Sequence, residues 1–120
     1  MNKVDIDREL DDFGRFSDPA LLILISLVDG PKHGYAMTED IAGIADLRLG
    51  PGTLYGSIKR LLHDGLIEEL DERPDPENDD VRRRYYRITP RGRKAAIEEA
   101  SRLAKLLRQA RASGLSPKTA

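Results

Sequence analysis

The step Gly50-Pro51-Gly52, set directly ahead of Thr53-Leu54-Tyr55, constrains this chain more than any other feature because it fixes where a helix can begin. Gly50 can serve as an N-cap, and Pro51 suits the first helical position, where its missing N–H is not needed. From there Leu54, Ile58, Leu61 and Leu62 recur at helical spacing. That predicts one face turned to a core and leaves Thr53, Gly56, Lys59, Arg60 and His63 outward. Asp64-Gly65 ends the run, since glycine accepts the left-handed conformation that closes a helix.

The flanking segments place this helix in a larger unit. Asp18 reads as an N-cap with Pro19 at the first position of a helix that is apolar nearly all round through Val28 and belongs in the centre of the core. Asp29-Gly30-Pro31 breaks it. A second helix from about Gly34 to Ala45 carries Tyr35, Met37, Ile41 and Ala45, and the turn Asp46 to Gly50 joins it to the helix at Pro51, a helix-turn-helix layout. Leu66 to Leu70 and Arg83 to Thr89 then read as strands around a loop rich in Asp, Glu and Pro. The expected fold is mainly α with a small β-hairpin, a winged helix-turn-helix domain over residues 18–89. Strand alternation puts Arg84, Tyr86 and Ile88 on one face, with Tyr86 packing and Ile88 toward the core. Arg83, Tyr85 and Arg87 then lie on the exposed face. A competing use of those arginines is a cross-hairpin pair with Glu69.

Thr89-Pro90 repeats the cap-then-proline signal and opens a helix over residues 90–112. Ala96, Ala100, Leu103, Leu107 and Ala110 alternate steps of four and three along it, a seam that calls for a partner helix and marks a dimer interface. Residues 1–17 form an N-terminal arm in which Ile6, Leu10 and Phe13 share helical spacing, with a frayed terminus as the alternative; residues 113–120 read as a disordered tail. At 120 residues and 39% hydrophobic composition the core is thin, which dimerisation would relieve. Net charge is -1, so any affinity for nucleic acid must rest on where charge sits. Acidic residues crowd positions 5–12 and 71–80, and basic ones occupy Arg82, Arg83, Arg84, Arg87 and the segment 91–111. The absence of cysteine excludes disulfides and thiolate metal sites and fits the cytoplasm. The apolar run Ala20 to Val28 is too short to span a bilayer, so no membrane partner is expected.

The joint pattern is His33-Gly34-Tyr35 after Gly30-Pro31, then Gly50-Pro51-Gly52-Thr53-Leu54-Tyr55, then Leu61 through Gly65-Leu66-Ile67, then Arg84-Tyr85-Tyr86-Arg87-Ile88-Thr89-Pro90-Arg91-Gly92. In this order and spacing it resembles the PadR family of transcriptional regulators, in particular the short subfamily with one C-terminal helix. The resemblance implies a cytoplasmic winged-helix homodimer that binds a double-stranded DNA operator, usually as a repressor relieved by a small-molecule effector. Three departures stand out. Family members commonly carry Ser where this chain has Gly50; the wing is acidic at Asp75, Glu77, Asp79 and Asp80; and no tryptophan is present for a flat aromatic-drug pocket.

In that context Tyr35 and Tyr55 are expected to touch phosphate or sugar, against a structural alternative of packing between helices. Lys59 neutralises phosphate and Arg60 reads base edges, against a merely solvated charged face. Thr53 shares that face, and Gly56 allows close approach to DNA or relieves crowding with a neighbouring helix. On the wing strand Arg83, Tyr85 and Arg87 complete the expected surface. His33 is expected to shape the turn into the second helix, and His63 to lie on the surface near a helix end. Neither falls in a metal spacing, and no nucleophile with an orienting partner can be named. No catalytic residue, metal or cofactor is therefore expected. The rival functional class is a winged-helix protein-interaction module that does not bind DNA.

Overall fold

The computed structural model describes residues 17–71 and 83–116. The arm with Ile6, Leu10 and Phe13, most of the acidic loop and the last four residues lie outside the described residues. In chain order the elements are α1 (Asp18–Ser26), β1 (Lys32–His33), α2 (Gly34–Ala45), α3 (Pro51–His63), β2 (Ile67–Glu69), β3 (Tyr85–Ile88) and α4 (Pro90–Ala112).

Each helix is delimited by its own side chains. The cap of α1 is Ser17, one residue earlier than expected: its hydroxyl accepts the Ala20 N–H at 3.4 Å. Asp18 becomes the first helical residue, where a carboxylate suits the positive end of the helix. Ile23 and Leu24 are buried, as is Leu27 at its C-cap, but α1 is not covered all round, since Ile25 remains 42% exposed. His33 caps α2 through Nδ1, which accepts the Ala36 N–H at 3.1 Å, the turn-shaping role expected of it. In α3, Leu54, Ile58 and Leu61 are buried. Leu62 is a correction to the expected core face: at 100° per residue it falls outside the stripe, and it is 36% exposed. Gly65 takes φ 73°, and Leu66 N–H reaches Leu61 O at 3.0 Å while Gly65 N–H reaches Leu62 O at 3.1 Å, a Schellman closure.

The wing holds one strand more than a hairpin. β1 pairs with β3 through Lys32↔Tyr86 and His33↔Tyr85, and β2 pairs with β3 through Ile67↔Ile88, Glu68↔Arg87 and Glu69↔Tyr86, giving the order β1-β3-β2. A polar clasp holds β1 against the helices. Lys32 donates to Ser26 O and to Asp29, and its ammonium holds the Asp29 carboxyl below the usual carboxylate range. Buried Ser26 donates to Asp40 Oδ2 at 2.7 Å. Tyr86, Ile67 and Leu66 join Ile23, Leu24, Met37, Ile41, Leu54, Ile58 and Leu61 in one core. Tyr86 packs as expected. Burial, and then the Glu69 carboxylate, push its phenol above the ordinary tyrosine value.

Residues 16–96 form one compact unit, and the chain from Ile97 belongs to another. Within the first, Gly92 lies so close to the residue just ahead of β2 that a Cβ there would sit 1.9 Å from Leu66 O. Thr89 fastens the same corner. Its hydroxyl donates to Gly65 O at 2.7 Å and accepts the Gly92 N–H at 3.0 Å. Ala95 and Ala96 pack against the core of their own chain. Ala96, the first residue of the expected dimer seam, is one of these partly buried residues. In the second unit, Glu99 is buried and paired with Arg102, whose guanidinium it holds above its usual value. Just past α4, Gly114 takes φ 87° and Leu115 N–H reaches Ala110 O at 2.8 Å.

Candidate nucleic-acid interface

The uncovered half of α3 carries Gly52, Thr53, Gly56, Lys59, Arg60 and His63, all exposed. A Cβ at Gly52 or Gly56 would meet nothing within 4 Å, so the crowding-relief account of Gly56 has no counterpart in this chain. Beside this strip stand two tyrosines with large exposure, Tyr35 at 65% and Tyr55 at 52%. Tyr55 is half packing residue and half surface. Its hydroxyl would sit 2.5 Å from a Cβ at Gly34, so Gly34 is the notch that seats it while the rest of the ring meets solvent.

Two hollows adjoin at Gly34, Tyr35 and Tyr55. One, of about 420 Å³, runs to the turn before α3 and is lined further by Thr38, Arg48, Leu49 and Pro51. The other, of about 330 Å³, runs to the base of the wing past His33, Arg83, Arg84 and Tyr86. The first turn of α2 and the N-terminal half of α3 are therefore brought together with the start of β3 around Tyr55.

The wing arginines do not partition as expected. Arg87 pairs with Glu68 at 2.5 Å and Arg84 with Glu69 at 3.3 Å, because the register sets Glu68 opposite Arg87 and leaves Glu69 to reach past Tyr86. Neither Arg83 nor Arg87 contacts Glu69 through a pair of this kind; Arg83 Nη1 lies 3.3 Å from His33 Nε2. Tyr85 is half-buried instead of exposed, since β1 brings the His33 ring against its edge, centroids 5.2 Å apart. Arg48 and Arg84 are the residues that sequence reasoning missed. Arg48 sits in a turn where periodicity is silent, and Arg84 precedes β3, so the strand alternation used to place it does not apply. Among the described residues no cluster of His, Cys, Asp and Glu is placed to hold a metal ion, and no helix is long and apolar enough to cross a membrane.

Two short helices joined by a turn and flanked by a small antiparallel sheet define a winged-helix protein. The chain matches the transcriptional regulator PadR-like family over residues 23–98, and it belongs to that family. The family consists of regulators, not enzymes. The chain is 36% identical over 89 residues to Transcriptional regulator Rv3488 of Mycobacterium tuberculosis, covering 74% of this chain and 78% of that protein. It is 39% identical over 92 residues to an uncharacterised 37.1 kDa protein in transposon TN4556 of Streptomyces fradiae; that covers 77% of this chain but only 25% of the longer protein. The fold is similar to that of a PadR family transcription regulator from Clostridium difficile (TM-score 0.64, 23% identity, 78% of this chain and 97% of that one). It is also similar to that of a PadR-like transcription factor from Bacteroides fragilis (TM-score 0.64, 20% identity, 92% and 97%).

Proposed function

We propose that this chain binds double-stranded DNA sequence-specifically as a cytoplasmic homodimer and represses transcription from a palindromic operator, with relief by a small-molecule effector. The observation that carries the reading is the convergence of the open face of α3 with Tyr35, Tyr55 and Arg83 around adjoining hollows. In this reading α3 lies in the major groove. Gly52 and Gly56 let its backbone come close, Thr53 and Arg60 face base edges, and Lys59 faces phosphate. Tyr35 and Tyr55 meet sugar and phosphate beside it, and Arg83, Tyr85 and Arg87 serve the wing. Ala100, Leu103, Leu107 and Ala110 hold the two copies together, so that two α3 helices reach grooves roughly 34–36 Å apart.

The test is a gel shift across a salt series, combined with footprinting on DNA flanking the chain's own gene. A protected, two-fold symmetric site with salt-dependent affinity is expected. A protein that shifts no duplex at low salt is the interaction module of the rival reading.

A further inference from the structure

The hollows around Tyr55 both end in arginines that are already engaged. At the turn before α3, Arg48 Nη2 donates to Glu39 Oε1 at 3.0 Å, and at the wing base Arg84 Nη1 donates to Glu69 Oε1 at 3.3 Å. The arginine side chains are 63% and 74% exposed and their carboxylate partners 43% and 40%. Packing therefore locks neither pair, and exposed pairs of this kind are weak and exchangeable. A phosphate offers the guanidinium a stronger, two-pronged partner, but only when it comes within hydrogen-bond reach.

Resting on the DNA-binding reading above, we propose that Glu39 and Glu69 are positioning residues that temper the affinity of the seated, specific complex. They hold Arg48 and Arg84 in the free protein and release them only to a duplex seated fully against α3. The charge balance makes this consequential. With 20 basic against 21 acidic residues the chain has no general positive field to attract DNA, so local cations along the groove decide the affinity. A loosely held, non-specific duplex keeps its phosphates behind water and leaves both arginines on their glutamates. A fully seated site brings phosphate close enough to displace the carboxylates. Seated binding must break both pairs and loose binding breaks neither, so the glutamates subtract from tight binding and leave loose binding nearly unchanged. A carboxylate that merely repelled DNA through space would weaken both modes alike.

Full-length wild-type protein, E39Q, E69Q and the double variant are measured by fluorescence anisotropy across a salt series on two short duplexes. One is enriched from a random pool by the wild-type protein, and the other is of random sequence. The double variant is expected to bind the enriched duplex about two- to thirty-fold more tightly. Its salt slope there should stay close to the wild-type value, because both proteins contact the same phosphates. The gain on the random duplex should be smaller, so the ratio of the two affinities rises. In an R48Q background E39Q should add nothing, and melting temperatures should not move. Equal gains on both duplexes, no gain on the enriched one, or an E39Q gain that persists without Arg48 each overturns the proposal. A wild-type protein that enriches no site and binds neither duplex overturns the DNA-binding reading itself and takes this one with it.

Discussion

Gly92 and Gly56 lack a side chain for opposite reasons, and the difference is measurable. At Gly92 the obstacle is a backbone oxygen, Leu66 O, which cannot rotate away, so Gly92→Ala forces α4 off the sheet. Overpacking of this sort costs typically about 1–3 kcal/mol, and a urea melt of the variant should show it. Gly56 faces open space in the middle of a helix, so Gly56→Ala should stabilise the fold by about 0.8–1.0 kcal/mol. If α3 enters DNA there, the same change weakens operator binding; a variant that is more stable and binds as well places the DNA elsewhere. Tyr86 yields a pH prediction. Burial raises its folded-state pKa above the unfolded value of 10.0, so its contribution is fully present below that value and is lost as pH rises through the folded-state one. Tyr86→Phe should flatten the alkaline limb of stability, and an unchanged limb would assign it to other groups. None of these environments is visible in local sequence. The glycines stand in quotable motifs, but the atoms that demand or permit them lie elsewhere in the chain.

At the scale of elements, α3 and the wing strand are expected to act differently on DNA. Lys59→Ala should weaken all sequences alike and flatten the salt slope by about one unit, whereas Arg60→Ala should relax preference at one base position, costing about 1–3 kcal/mol there. If neither variant changes binding to any duplex, α3 is not the reading helix. Arg83→Ala combined with Arg87→Ala should lower operator affinity with little loss of melting temperature, because both side chains are exposed and the Arg87–Glu68 pair is a surface contact. The helices were legible because 3.6-residue periodicity and cap residues agree. The α1 boundary slipped by one because Ser17 and Asp18 are both good caps, and Leu62 was misplaced because a leucine at the edge of a stripe reads like one at its centre. β1 was missed because two residues cannot show alternation, yet its pairing puts His33 on Tyr85 and turns part of the expected exposed strand face into packing.

The oligomeric state belongs to the whole molecule and rests on what one copy leaves uncovered. Ala96 packs into its own core, while farther along α4 Ile97, Leu103, Leu106 and Leu107 are 60%, 42%, 53% and 38% exposed. Truncation at Gly92 would be a poor test, since it also removes Ala95 and Ala96 from the core. Leu103→Glu with Leu107→Glu is cleaner. In a single chain both positions already face solvent, and surface changes of that kind usually stay within about 0.5 kcal/mol. In a dimer that uses the seam, four carboxylates would be buried against apolar side chains without partners, which association cannot tolerate. The variant is expected to scatter light as a folded monomer. Its operator affinity should fall by about 10²–10⁴, because linkage of two half-site contacts is lost while each contact remains. A variant that stays dimeric and binds normally would move the interface off α4 and leave the arm with Ile6, Leu10 and Phe13 as the remaining apolar candidate. A variant that becomes monomeric yet keeps operator affinity would show instead that one copy suffices for binding, and the palindromic reading would fall with it.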